Sequence, residues 1–185
     1  TVSADVKLAT QDNIALLSKR SGAFNDTARD GIKEFVATGA PKSGVRASVS
    51  AEVGGNWDNV PNQCVNYTSC HDNLTLYDAL VNAVYHDKQY ELRREDLVAM
   101  NKLCAAIVMT SRGMPFMLAG EEMGRTKLGD GNSYISPIGV NRIDWNLLQL
   151  YPSMVEYYSG LIKLRSALKS LSDPTGNRSE LEYLD

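Results

Sequence analysis

No apolar run in this sequence approaches the roughly 20 residues that cross a bilayer as a helix. No sign of charge dominates either. Nineteen Lys and Arg stand against 22 Asp and Glu, a net charge of -3, so neither nucleic acid nor an anionic membrane is expected as a partner. Thr1-Val2-Ser3-Ala4-Asp5 has no basic start and no apolar core, so no leader is recognisable. The first residue is not Met, and the cellular compartment is left open. Cysteine is scarce: Cys64, Cys70 and Cys104, an odd number. An extended chain between Cys64 and Cys70 would hold their Cα atoms about 20 Å apart, too far for a bridge. All three are expected to be buried thiols. No Cys-x-x-Cys or His-x-x-His spacing points to a metal, so no metal ligands are expected. There is no internal repeat and no low-complexity tract. What remains is ordinary for a globular domain, 43% hydrophobic and 22% charged. Its 185 residues are enough for one domain with a real core.

The most informative stretch is Val65-Asn66-Tyr67-Thr68-Ser69-Cys70-His71-Asp72-Asn73-Leu74-Thr75-Leu76-Tyr77-Asp78. Residues 65–70 suit a short buried strand, and a helix is expected from about Thr75 to Tyr85. A strand that ends in His-Asp-Asn and turns into a helix is one βα unit of a parallel α/β protein. Such folds carry their chemistry at the carboxyl ends of the strands, where His71, Asp72 and Asn73 fall. A plainer reading makes Asp72 a helix N-cap and His71 a loop residue. "VNYTSCHDNLTLYDAL" resembles the fourth signature region of the α-amylase clan of glycoside hydrolases in its pullulanase-like form, roughly "VNYVSSHDN.TLWD". The flanking Asn66-Tyr67 and Thr75-Leu76-Tyr77-Asp78 carry that likeness more than His-Asp-Asn alone.

Elsewhere the pattern is mixed. Residues 1–20 read as a loop and a helical segment anchored by Leu8, Ile14, Leu16 and Leu17. "AFNDTARDGIKEF" places an Asn25-Asp26 cap before a short helix with Arg29 and Lys33, and it resembles the stretch after the sixth barrel strand of pullulanase-type enzymes. Residues 38–63, rich in Gly, Ser, Pro and Asn, read as a long loop with at most a segment from Val45 to Val53. Trp57 in it is either a sugar-stacking platform or a loop anchor. A helix is expected from about Arg93 to Arg112, with Leu97, Met100, Cys104, Ile107 and Val108 on one face and Gly113 stopping it. Phe116 to Ala119 read as a buried parallel strand. "GMPFMLAGEEMGRTK" resembles the eighth strand of the same clan, and "NSYISP" with "IDW" its pullulanase and glycogen-debranching branch. A last helix is expected from Pro152 to Leu168, with Met154, Tyr157, Tyr158, Leu161, Ile162 and Leu164 inside.

The resemblance implies an α/β fold: the C-terminal portion of a (β/α)8 TIM barrel, from about strand 6 to helix 8. Residues 1–170 would be part of a glycoside hydrolase catalytic barrel and 171–185 a tail leading out of it. The implied function is that of a piece of a retaining debranching enzyme hydrolysing α-1,6-glucosidic linkages in pullulan, glycogen or starch. An isoamylase or branching enzyme, or a non-catalytic glucan-binding fragment, is the alternative. Glycoside hydrolysis uses two carboxyl groups flanking the scissile bond. In this clan they are an Asp after the fourth strand and a Glu after the fifth, in phrases of the type "FR.D" and "GE.W", and neither phrase occurs here. The intact parent is therefore read as the enzyme, and this chain alone as inactive. Asp72 matches the clan's transition-state stabiliser and His71 the neighbouring sugar-binding histidine. Asn132, Tyr134, Asp144 and Trp145 are candidate substrate contacts, or else members of a self-satisfied loop network. Adjacent Glu121 and Glu122 point different ways and are not expected to form an acid/base pair. The partners implied are an α-glucan oligosaccharide or polysaccharide, the missing remainder of the barrel, and a second copy of the chain. No cofactor is expected, and calcium in the parent is left open.

Overall fold

A computed structural model describes residues 8–55 and 60–173. Trp57 and the tail beyond Asp173 lie outside the described residues. Three very short strands form one parallel sheet: β1 (Ala23–Phe24), β2 (Cys64–Asn66) and β3 (Met114–Pro115), in the order β1-β2-β3. Helices make up most of the rest. They are α1 (Asp26–Thr38), α2 (Ser43–Val49), α3 (Leu76–Val84), α4 (Glu95–Thr110), two single turns α5 (Ile138–Asn141) and α6 (Leu147–Leu150), and α7 (Pro152–Ala167). None of the described helices is long and apolar enough to cross a membrane.

The two connections between strands are helical, and their local chemistry fixes where they start and stop. Asn25 follows β1 and caps α1 by accepting from the Ala28 N–H at 3.1 Å. Gly39, at φ +82°, ends α1 in the left-handed conformation. Thr75 caps α3 by accepting from Asp78 N at 3.2 Å, which leaves Asp72 outside the helix and free of that role. Glu95 and Asp96 lie in the positive first turn of α4. Pro152 starts α7, where its missing N–H costs nothing. Gly113, at φ +88°, carries the chain from α4 into β3. A Cβ there would lie 2.8 Å from the Cys64 carbonyl oxygen.

The core lies between the helices and one face of the sheet. Ile32 of α1, Leu76, Leu80 and Val81 of α3, and Leu97 and Cys104 of α4 are fully buried together. Ile14 packs with Ala51, Val53 and Cys64 below β2. The other face differs. Phe24, Val65 and Met114 share one register row across the sheet. Phe24 is 43% exposed and Met114 41%. Just beyond, the Phe24, Tyr67 and Phe116 rings meet edge to face, with centroids 4.9–6.3 Å apart.

Several expectations are corrected. The strand expected over 65–70 ends at Asn66. Phe116 N–H donates to the Asn66 carbonyl at 2.8 Å, and past it the Thr68 and Ser69 hydroxyls turn to Glu121 instead of extending the ladder. The strand expected over 116–119 is at Met114–Pro115, and the apolar run after it is only half-buried. The loop expected over 38–63 contains α2, whose Ser43, Gly44 and Ser48 look loop-like; Gly44 faces Gly31 of α1, where a Cβ on Gly44 would lie 2.4 Å from Gly31 Cα. Leu8 and Leu16 are exposed, so Ile14 and Leu17 alone anchor that segment. On α7, Tyr157, Ile162 and Leu164 are 38–46% exposed, and the buried row is Met154, Tyr158, Leu161 and Arg165. Arg165 is buried because its guanidinium donates to the carbonyls of Met109, Ser111, Gly113 and Leu171. Cys64 and Cys104 are buried thiols, but Cys70 is only half-buried.

Candidate functional site

The carboxyl ends of all three strands open on one side of the sheet and carry the candidate groups. After β1 come Asn25 and Asp26. Beyond β2 are Tyr67 and the bend Cys70-His71-Asp72-Asn73, and β3 leads to Glu121 and the long loop 124–146. At the bend, Asn73 adopts φ +62°, which turns the chain back toward α3. His71 and Asp72 project into solvent, with side chains 83% and 73% exposed, and His71 Nε2 lies 3.4 Å from Asp72 Oδ2. These two groups, an imidazole and a carboxyl, are accessible to a ligand.

What holds the bend is buried beneath it. Glu121 accepts from Ser69 Oγ at 2.5 Å and from Thr68 Oγ1 at 3.4 Å, gripping the two residues before Cys70. Tyr158 of α7 donates to the same carboxylate at 3.2 Å and accompanies it with a 2.7 Å bond to Asn101 of α4. Burial pushes the Glu121 pKa up to about 7, although the bonds from Ser69, Tyr158 and Thr68 pull the other way. Glu122 bonds the Gly120 N–H at 2.9 Å, so the two adjacent glutamates serve different loops. On the other flank, Lys127 Nζ donates to the His71 carbonyl at 3.0 Å. Lys127 is itself buried, which lowers its pKa, with Arg125 nearby adding to the effect.

Loop 124–146 is docked by Asp78 in the first turn of α3. Its carboxylate accepts from Thr126 Oγ1 at 2.5 Å, Lys127 N at 2.9 Å and Gly129 N at 3.2 Å. Docking brings Gly131 against the bend, where a Cβ would sit 3.9 Å from Asn73 Cα. Asn132 therefore follows a residue in contact with the 71–73 segment, and its own N–H is bonded to Asp130 at 2.9 Å. Tyr134 is 81% exposed and Trp145 65%. Asp144 accepts from both nitrogens of Asn146, at 3.0 and 2.8 Å, and lines a cavity of about 240 Å³ with Arg125, Arg142 and Tyr151. The structure thus brings His71, Asp72 and the chain next to Asn132 together. It leaves the Tyr134 and Trp145 rings open to solvent and engages Asp144 within its own turn.

A cluster the sequence reading passed over lies at the end of β1. Tyr67 OH donates to Asp26 Oδ1 at 2.5 Å, and Arg29 Nη1 reaches the same hydroxyl at 3.1 Å. Burial and the Asp26 bond raise the Tyr67 pKa. Arg29 is also paired with Asp30 at 2.7 Å, which holds the Asp30 carboxyl below its ordinary range. Asp26 was visible only as part of a cap signal, and nothing in its spacing linked it to Tyr67, 41 residues on.

No family model matches the chain. Among curated proteins it is 34% identical over 160 residues to the pullulanase of Bacillus subtilis, covering 79% of this chain and 22% of that protein. It is 27% identical over 175 residues to a glycogen debranching enzyme of Dickeya chrysanthemi, covering 80% and 26%. The crystal structure of a Paenibacillus barengoltzii pullulanase in complex with maltohexaose and alpha-cyclodextrin aligns with a TM-score of 0.72 at 37% identity. That match covers 83% of this chain and 25% of the other. A variant of the same pullulanase complexed with maltotetraose aligns at 0.78, with 36% identity over 90% and 27%. The chain spans about a quarter of the length of these relatives.

Proposed function

We propose that this chain, a relative in sequence and structure of pullulanases and glycogen debranching enzymes, which belong to the α-amylase clan, is the C-terminal portion of such an enzyme's catalytic barrel. Its three strands would be the sixth to eighth of a (β/α)8 barrel. Residues up to about 170 would belong to the barrel, with 171–185 leading out of it. What supports this is a parallel sheet whose order follows the sequence, with helical crossovers between its strands. A doubly wound sheet would reverse its order at some point. The Phe24-Val65-Met114 row, with Phe24 and Met114 exposed and Val65 half-buried, would suit the inside of a barrel whose other strands lie outside this chain.

The function proposed for the intact polypeptide is hydrolysis of α-1,6 linkages in a branched α-glucan. The observation that carries it is the position of His71 and Asp72, exposed side by side at the carboxyl end of the central strand. Asp72 would hold sugar hydroxyls more tightly as the ring flattens and would oppose the charge developing at the oxocarbenium ion. His71 would donate to or accept from the same sugar. Tyr134 and Trp145 would offer rings for sugar faces, Asn132 would contribute an amide beside the bend, and Asp144 would be a further contact. The nucleophile and the general acid would come from barrel residues that this chain does not contain, so the chain alone is expected to be inactive. The partner proposed is an α-glucan oligosaccharide or polysaccharide.

The test is product analysis with the intact polypeptide. Maltotriose released from pullulan supports the proposal. Debranching of glycogen with pullulan untouched would favour the isoamylase-like alternative. Glucan binding with no bond cleaved would favour a non-catalytic module.

A further inference from the structure

We propose that Cys70, His71 and Asp72 together form a binding site for one soft divalent cation of the zinc class. One ligand atom from each, a thiol sulfur, an imidazole nitrogen and a carboxylate oxygen, lies within 4.8 Å of the other two. Three consecutive residues of an extended strand cannot do this, because successive side chains point to opposite faces. Here the chain is bent. Asn73 sits at φ +62°, and Cys70 Sγ approaches the Asp72 carbonyl oxygen at 3.6 Å.

The backbone of the bend is held from both sides while the ligand heads of His71 and Asp72 are exposed. Ser69 is held to Glu121 at 2.5 Å, and the His71 carbonyl to Lys127 at 3.0 Å. The His71 and Asp72 side chains are 83% and 73% exposed. Tetrahedral zinc, with bonds of ~2.0–2.3 Å, sets its ligand atoms roughly 3.5 Å apart. Closing a gap of about 1 Å is within the reach of exposed rotamers. Thiolate and carboxylate together supply two negative charges. Lys127 is the cation that opposes the metal, but its ammonium is engaged with the His71 carbonyl.

The donor set decides the class. A thiolate with imidazole suits zinc or cobalt and disfavours calcium and magnesium, which take oxygen ligands. Three protein ligands leave the fourth position to water, an open site. Cys70 stands where the pullulanase-like pattern has Ser, a far weaker ligand, so the site belongs to this chain and not to the pattern. A cation there would occupy the His71 and Asp72 atoms assigned above to the glucan and would block it. That consequence rests on the proposed function, and the binding itself does not.

The experiment is titration of the reduced full chain with cobalt(II), read by the thiolate-to-cobalt charge-transfer absorption, which glucan activity cannot influence. One equivalent is expected to produce the band and zinc to displace it, with calcium having no effect. Cys70→Ser should abolish the band, and His71→Ala should weaken binding at least about tenfold. Both positions lie outside the helices and strands, and circular dichroism of each variant verifies that the fold is retained. The proposal is overturned if the wild-type chain gives no band, if the band survives Cys70→Ser, if His71→Ala binds equally well, or if calcium displaces cobalt as readily as zinc does.

Discussion

Glu121 supports the bend from below, and its environment makes its effect depend on pH. Burial raises its pKa to about 7 from an ordinary 4.5, so the folded chain holds this proton more tightly than the unfolded one. The sign follows by linkage: stability from this group is fully present below about pH 4.5 and is lost as pH rises through about 7. The difference corresponds to about 3 kcal/mol. The expected outcome is a urea midpoint, measured in dilute solution, that falls between pH 5 and pH 8. Glu121→Gln should flatten the fall, and a variant that kept the same slope would remove Glu121 from this role.

At this scale the sequence was unevenly legible. The place of His71 and Asp72 beyond a strand's carboxyl end is legible because a long local phrase surrounds them. Cys70 is expected to be buried and is half-buried, at a bend that depends on a left-handed Asn73 that no periodicity encodes. Adjacency excludes Glu121 and Glu122 as an acid/base pair, but the partner of Glu121, Ser69, lies 52 residues away, and Lys127 reaches His71 across 56. Pairings so distant leave no mark on local spacing.

Among elements, helix type and position were the most legible. α3, α4 and α7 appear within a few residues of expectation, because Thr75 caps α3, Glu95 and Asp96 sit in the first turn of α4, Pro152 starts α7, and apolar residues recur at helical spacing. The strands were placed less well, since two- and three-residue strands have no period to read. α2 was missed because its small residues resemble a loop, and those residues are what its packing needs. A Cβ on Gly44 would lie 2.4 Å from Gly31 Cα and 2.9 Å from the Thr27 carbonyl, both backbone atoms that cannot step aside. Ala gains up to ~1 kcal/mol of helix propensity over Gly. The overpacking outweighs it, so Gly44→Ala should destabilise the chain by about 1–3 kcal/mol in chemical denaturation. A stabilised variant would mean that the α1–α2 contact is looser than described.

The docking of loop 124–146 belongs to this scale too. Asp78→Ala would strand the Thr126 hydroxyl and the Lys127 and Gly129 N–H groups, with Asp78 and Lys127 both buried. Leaving such donors unsatisfied costs about 1–3 kcal/mol each where water cannot replace the lost partner. Amide exchange should speed up at residues 126–131 first. It should then spread to 71–73, because Lys127 is the tie between them. Exchange unchanged at 71–73 would uncouple the loop from the bend.

For the molecule as a whole, the proposed barrel leaves β1 and β3 as open edges and the Phe24-Val65-Met114 row without its opposite wall. Restoring cover to a few large side chains is worth several kcal/mol at ~25 cal/mol per Å². The chain by itself is therefore expected to self-associate or to be loosely packed. Its sedimentation-average mass should rise with concentration, or its strand amides should exchange fast. A monodisperse monomer with strongly protected strand amides would argue for a core complete in itself. Architecture at this scale is legible as parallel βα units because the Val65-Asn66 start of the His-Asp-Asn phrase lies in β2 and the Met114-Pro115 start of the second phrase forms β3, although both strands end earlier than expected.

The measurement that bears most directly on the account is maltotriose release from pullulan. It should be compared among this chain alone, the intact polypeptide, and the intact polypeptide carrying Asp72→Asn. The account predicts no release by the chain alone and steady turnover by the intact polypeptide. Asp72→Asn should lower kcat by about 100-fold or more without unfolding the protein, since the shape is kept and the opposing charge is lost. Release by the purified chain alone, or a near wild-type kcat for Asp72→Asn, would contradict it.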